Sequence, residues 1–468
     1  MRLTLFLLLF IIHETALSQN KQLLFNFDEL PQNLMTNPGA EVNFDLHAGL
    51  PLFSQIHFSG GSSGVSLYDI FKEDGNSVND HIAEALADMN NKDFFSVHQQ
   101  LEILSIGWRG KNDKYFSGGI YQEMDAFVYF PKDLAVLAYE GNKGHISETF
   151  DFSEAAFTGE FLNVFHFGMT RYYSENLNYG FRVKLYSSVF NARSTNNRGT
   201  FRTIPSPAAP NMFRHFLSGI DVLINTSGWA PLVDSENVGG RQTLSTLAGK
   251  AFLGGNLGLG VDLGFTWYKN DRWKFTGSII DLGFINHKKD VENYRYHGNY
   301  QTDGIEILFP GPGEGTPNYW DEWEDDLDEH LEDETLYVSY NSWRPVKFNG
   351  SVDFGFLEDT EPCNCHEPTG RRRYKHHLGL HWFAVSRPRG VVSAATVYFD
   401  KRFSNNFRAK IAYTADAYSF SNIGLMFSTR FHNFNFYLAA DNLLDYTNLA
   451  KAHNASVQMG FQLIMNSQ

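Results

Sequence analysis

Beyond its first residues the chain has no apolar run of the roughly 18 residues that a helical membrane span needs, so helical spans are excluded. Basic side chains are in the minority. With 38 Lys and Arg against 53 Asp and Glu, the net charge is -15, the wrong sign for a nucleic-acid partner, whose phosphates call for basic patches. Proline is sparse, at 15, and no Pro-, Ser- or Gly-rich linker divides the sequence into separate domains. There are two cysteines, Cys363 and Cys365, far from the N-terminal position of a lipoprotein anchor. What the chain has in excess is aromatic residues, 15% of the total with 42 Phe and 22 Tyr, together with 40 Gly. Phe on a lipid-facing surface, Tyr and Trp at two interfaces and Gly in tight turns account for that mixture.

The apolar residues recur at every second position. Val457, Met459, Phe461, Leu463 and Met465 share one parity, opposed by Ser456, Gln458, Gly460 and Gln462. The same alternation runs through Phe434 to Ala440, and through Leu257, Leu259, Val261, Leu263, Phe265 and Trp267 opposite Asn256, Asp262 and Thr266. It appears again in Leu177 to Leu185, where Asn178, Arg182 and Lys184 hold the other parity. A period of two is that of extended strands, whose successive side chains point to opposite faces. Segments of about ten residues, apolar on one face and polar on the other, are the signature of a barrel wall between lipid and water. Turn signals at Ser174-Glu175-Asn176, Lys269-Asn270-Asp271 and Ser404-Asn405-Asn406 separate neighbouring runs. With weaker runs counted, among them residues 212–224 and 335–341, the pattern predicts an all-β fold. It is a transmembrane antiparallel barrel of about 14 strands, with long loops and a short acidic helix. Asp262 is expected to point into water.

Arg2, the apolar run Leu3–Ile12 and the small-residue site Ala16-Leu17-Ser18 read as a signal peptide over residues 1–18, too short for a membrane anchor. The barrel then occupies 19–468, with a plug-like segment over about 19–92 that includes a helical pattern near Asp80. An insertion of loop and helix runs from about 293 to 334. In it the acidic stretch Tyr319–Glu334 carries Trp320, Trp323, Leu327 and Leu331 at spacings of three and four, as an amphipathic helix would. Trp320, Trp323, Asp325 and Asp326 are the candidate contacts for a ligand or partner, because buried aromatics dominate interface energetics.

Leu30-Pro31-Gln32, Asn37-Pro38-Gly39 and Gly49-Leu50-Pro51 resemble the opening of an outer-membrane barrel family of the Bacteroidota whose function is unassigned. In that family an Asn-Pro-Ala segment precedes the first strands, so Gly39 departs from its pattern. The stretches Gly258–Phe265, Ile280–Ile285 and Ala440–Leu444 resemble the family's central hairpin and closing strands. The resemblance extends more distantly to type IX secretion shuttle barrels and to the long-chain fatty-acid transporter fold. It implies strands and turns, and no catalytic residues.

Motifs with catalytic associations lack their structural context. Gly60-Gly61-Ser62-Ser63-Gly64 spells a nucleophile elbow, but that elbow needs a parallel α/β sheet. Cys363 and Cys365 are separated by one residue, a spacing that strains a disulfide; with His366 they can instead offer three ligands to a soft metal, one short of a structural zinc site. The acids of Asp321–Glu334 lack the spacing of a calcium loop. The basic run Arg371–His377 reads as a strand end near lipid headgroups. His145, His166, His215, His287, His297 and His381 have no paired nucleophile. The expected function is therefore non-enzymatic, with no cofactor and no metal. The protein is read as an outer-membrane barrel in contact with lipid, carrying an apolar ligand or serving surface or secretion machinery beside another outer-membrane or periplasmic protein. The alternative is an outer-membrane lipid hydrolase.

Overall fold

The computed structural model describes residues 21–207, 209, 212–228, 249–304, 326, 329–361 and 371–466. The expected signal peptide, Cys363, Cys365, His366, Trp320, Trp323 and Asp325 lie outside the described residues.

Fourteen antiparallel strands form a closed wall. In chain order they are Leu46–Gly49 continued by Ile56–Ser62, then Phe94–Arg109, Lys114–Tyr129, Ala156–Ser174, Leu177–Ser194, Asn256–Tyr268 and Trp273–His287. Tyr340–Trp343 continued by Lys347–Glu358 is the eighth, followed by Tyr374–Arg387, Gly390–Ser404, Phe407–Ala415, Asn422–Phe431, Phe434–Asp441 and Asn454–Met465. The last closes on the first through Leu46↔Met465 and Ile56↔Met459. One end of the barrel carries the last described residues, after Met465, and most of the tight turns, including Asn270–Arg272 and Asn405–Asn406. The other carries the long insertions.

Alternation sorts the side chains as the period of two requires. Leu259, Val261, Leu263 and Phe265 are exposed on the outer surface, while Asn256, Asp262 and Thr266 are buried inside. An arginine at Val261 is expected to cost about 2–4 kcal/mol near the membrane midplane, seen as a loss of folded barrel in a refolding titration. Gly260, one residue earlier, faces inward and is refused a side chain for another reason: a Cβ there lies 2.2 Å from the Tyr186 hydroxyl.

Of the expected wall runs, residues 212–224 belong elsewhere, and residues 335–341 are divided, with Tyr340 and Asn341 in the eighth wall strand. Phe213–Ser227 pairs with Arg198–Pro205 and Asn293–Thr302, and the latter with Leu331–Leu336, in an outer sheet beyond the barrel rim. The partly exposed faces of Phe213–Ser227 explain the weakness of its alternation. The acidic helix is corrected at its end, because Leu331–Glu334 is strand, drawn into pairing with Asn293–Gly298; Asp326, Glu329 and His330 are helical. The segment expected to plug the barrel is also shorter than about 19–92. Residues 46–62 join the wall, and Leu67–Phe71 and Val78–Asp88 form helices at the long-loop end, each begun by a serine capping box. Asp80 is the third residue of that second box, and Ser77 is the cap.

Candidate functional site

Residues 21–40 are buried inside the barrel, all but Glu29 fully. They enter no strand ladder. Instead the backbone folds on itself in steps of three, with the amides of Leu24, Phe27, Leu30, Asn33 and Thr36 each donating to the carbonyl three residues earlier. Pro31 opens a short 3-10 turn over Pro31–Met35, where its missing N–H costs nothing. Wall side chains satisfy further carbonyls, Lys410 Nζ donating to Phe25 at 2.6 Å, Arg182 to Met35 at 3.0 Å and Ser278 Oγ to Thr36 at 2.6 Å, so the segment sits in the lumen without joining a strand ladder.

Side chains hold it there. Leu23, Leu24, Phe27 and Leu30 pack on Tyr398, Ala412, Met426, Tyr437 and Ala439, apolar residues that the wall turns inward. Leu34, Val42 and Phe44 pack on Tyr115 and Ile464. Asn26 donates to Ser351 Oγ at 2.7 Å and Tyr398 Oη at 3.1 Å. At the short-turn end ion pairs join plug to wall: Asp28 with Lys274 at 2.7 Å, Glu29 with Arg402 at 2.8 Å and Arg408 at 3.8 Å, and Glu41 with Arg371 at 2.9 Å. Arg371, expected near headgroups, thus lies in the mouth, its guanidinium 3.6 Å from the Tyr268 ring centre. The Asn37-Pro38-Gly39 turn rests directly on wall backbone, with Thr170 Oγ1 donating to the Pro38 carbonyl at 2.7 Å. A Cβ on Gly264 would lie 2.1 Å from Asn37 Oδ1, and one on Gly180 only 1.9 Å from the Pro38 oxygen. A Cβ on Gly39 would meet the Gly264 carbonyl at 2.3 Å, so this contact leaves no room for a side chain there.

Above the plug lies a belt of charge. Asp262 faces inward as expected, but it is fully buried. Its partners are Arg182 at 2.5 Å, Lys184 at 2.9 Å and the Asp281 amide at 2.7 Å, which a bulge presents to it. These pairings answer its burial, since a buried charge needs a counter-charge and hydrogen bonds. The chain of pairs continues through Lys184–Asp281 and Lys347–Asp281 to Arg344, which bridges Glu123 and Glu160, and ends with Arg387 on Asp125. A cavity of about 40 Å³, lined by Lys21, Tyr121, Glu123 and Lys184 among others, lies between plug and belt. Towards the long loops an apolar cluster follows, with Phe94, Phe127, Tyr129, Phe383, Val385 and Tyr418.

Lys21, the first described residue, meets Gln100 under this belt. Burial, reinforced by Lys347, lowers its ammonium to about 7 from 10.5, against the pull of Glu123, Glu102 and Asp281. A released plug binds that proton more readily than a docked one, so docking weakens as pH falls from 10.5 to about 7 and changes no further below. Channel openings in planar bilayers are expected to become more frequent across that window, and Lys21→Met to flatten the slope.

The enzyme motifs do not assemble. Ser62 ends an antiparallel strand, and its hydroxyl accepts only a long 3.4 Å bond from Val65 N–H. His287 does meet two hydroxyls, Ser227 Oγ and Ser342 Oγ, each at 2.8 Å, but it is fully buried and Tyr340 stacks on it. Both ring nitrogens are taken by hydroxyls, so no carboxylate orients the ring as a triad requires. His297 lies across the outer sheet from Glu332, with Glu334 beside it; their ligand atoms fall within 4.8 Å, three where a closed zinc site needs four. Of the candidate contacts, Asp326 is exposed and accepts from Tyr300 Oη at 2.7 Å.

A family model matches residues 38–441, beginning at the Pro38 turn that rests on the wall and ending in the strand closing at Asp441. The chain belongs to DUF5723, a family of unknown function. No curated protein matches it. Among solved structures it is similar to the toluene transporter TodX of P. putida, at 10% identity over 97% of this chain and 96% of that one, with a TM-score of 0.37. The Ralstonia pickettii toluene transporter TbuX is 10% identical over 94% and 95%, with a TM-score of 0.40. A Pseudomonas aeruginosa FadL homologue is 10% identical over 94% of both chains, with a TM-score of 0.39. Likenesses this faint carry no function across.

Proposed function

We propose that the protein is a non-enzymatic outer-membrane transport barrel that passes an apolar small molecule through a lumen closed at rest by its N-terminal segment. The short-turn end is then periplasmic and the long-loop end extracellular, as in barrels with short inner turns and longer outer loops. The observation that carries the reading is the plug: inside a closed wall, outside every strand ladder, and held by apolar packing, ion pairs and hydrogen bonds from wall side chains, with no backbone ladder to break. The aromatic cluster around Phe94, Phe127 and Phe383 supports an apolar cargo. So do Leu67, Phe71, Phe420, Leu444 and Leu449, all exposed at the long-loop rim.

The test is a reversible lock. Cysteines at Asn26 and Ser351, whose side chains are hydrogen-bonded at 2.7 Å, tie plug to wall once Cys363 and Cys365 are replaced by serine. Uptake of an apolar aromatic tracer into proteoliposomes is expected to stop on oxidation and return on reduction; equal uptake in both states would sink the reading. A second reading, an accessory subunit of surface or secretion machinery, draws on the exposed Tyr337, Val338 and Trp343 beside the outer sheet. Stoichiometric co-purification of one protein from native membranes would favour it.

A further inference from the structure

A cavity of about 590 Å³ opens on the short-turn face beneath the plug. In a chain of net charge -15, nine Lys and Arg side chains line it against five carboxylates. Three of those carboxylates, Asp28, Glu29 and Glu41, belong to the plug. The basin therefore already holds a polypeptide by spaced acidic side chains, through Lys274, Arg402 and Arg371. It also holds cations that the plug leaves over. Arg272 packs against the Tyr374 ring, and Arg430 donates to the backbone carbonyls of His432 and Ile464. Neither forms an ion pair with a carboxylate within 4.0 Å among the described residues, and Glu29 acts on Arg430 only from beyond that distance.

We propose that this basin docks an acidic polypeptide segment of a periplasmic partner, seated first on Arg272 and Arg430 and competing with the plug's own carboxylates for Arg371 and Arg402. The chemistry follows from the pairs in place: arginine presents a planar fork matched to carboxylates, and the plug shows that the spacing suits a chain. A peptide is favoured over lipid because the basin lies inside the ring of wall strands, whose outward side chains here, Trp267, Trp273 and Trp108, form the lipid-facing rim. Each plug ion pair taken over by the partner loosens the plug, so docking from the periplasm favours the open lumen. Only this coupling rests on the transport reading above; the docking site stands apart from it.

The experiment uses the full chain in detergent and fluorescein-labelled octaglutamate, read by anisotropy. Binding is expected to weaken with added salt, and to be about ten-fold weaker in the Arg272→Gln/Arg430→Gln variant, which spares every plug ion pair. Retained heat-modifiability shows that this variant is folded. Equal binding by variant and wild type overturns the site. So does displacement of the peptide by inorganic phosphate at comparable concentration, or a preference for anionic lipid vesicles over the peptide. In a Gln32→Cys variant lacking Cys363 and Cys365, saturating octaglutamate is expected to speed maleimide labelling of the buried position; an unchanged rate overturns the competition with the plug. Neither arm measures transport. A failed peptide isotherm therefore leaves the tracer result standing, and a failed tracer result leaves the isotherm.

Discussion

Gly264→Ala is expected to open the barrel while leaving its wall folded. The added methyl points inward at the plug: its nearest neighbours are Asn37 Oδ1 at 2.1 Å, Pro38 Cδ at 2.9 Å and the Gly39 nitrogen at 3.0 Å. A proline ring and a backbone amide have no rotamer into which to retreat. Within the wall, alanine is an ordinary strand residue, and none of those three close neighbours belongs to the wall. Overpacking of this kind costs about 1–3 kcal/mol, which shifts the ratio of docked to released plug by about one to two orders of magnitude. Single-channel conductance at neutral pH is the measurement, with Gly350→Ala as the control because a Cβ there meets nothing within 4 Å. Wild-type conductance in Gly264→Ala, with a heat-modifiable barrel, would show that the plug does not close the lumen.

The largest loss of stability is expected from Asp262→Ala. Removing this carboxylate strips Arg182 of its 2.5 Å partner, Lys184 of one of two, and the Asp281 bulge amide of its acceptor. Buried charges left without a counter-ion cost about 3–5 kcal/mol, because desolvation is no longer offset. A urea titration of the refolded barrel reads the effect. The double variant Asp262→Leu/Arg182→Met should recover much of the loss, since two apolar side chains need no counter-charge. A midpoint for Asp262→Ala within about 1 kcal/mol of wild type would mean that water reaches the belt and screens it.

The two variants divide what is written in the sequence from what is not. That Asp262 faces inward and Leu263 outward follows from a period of two, a local property of the extended chain. The strand hairpins are equally local, because Ser174-Glu175-Asn176 and Ser404-Asn405-Asn406 turn the chain between strands that pair with their neighbours in sequence. What an inward side chain meets is not local. The pattern gave an inward residue a watery lumen, yet Tyr115, Tyr186, Tyr398 and Tyr437 point inward and are buried in protein. The basic run at Arg371 showed charge without a partner, since Glu41 is 330 positions away along the chain.

By itself, then, the sequence determined the all-β class, the parity of each strong strand, the tight turns and an approximate strand number. These depend on contacts between near neighbours and on the choice between lipid and interior. Only the tertiary structure decided that, of the expected plug-like segment, residues 21–40 fill the lumen, that Gly39, Gly180 and Gly264 form a close contact of plug on wall, and that the interior charges are buried and paired. It also moved Phe213–Ser227 out of the wall into an outer sheet and made Leu331–Glu334, expected as helix, a strand of that sheet. The physical reason is closure. Once the last strand pairs with the first, every inward side chain shares one small volume with residues hundreds of positions away. Their packing and charge balance, which no short window of sequence contains, then set the state of the lumen.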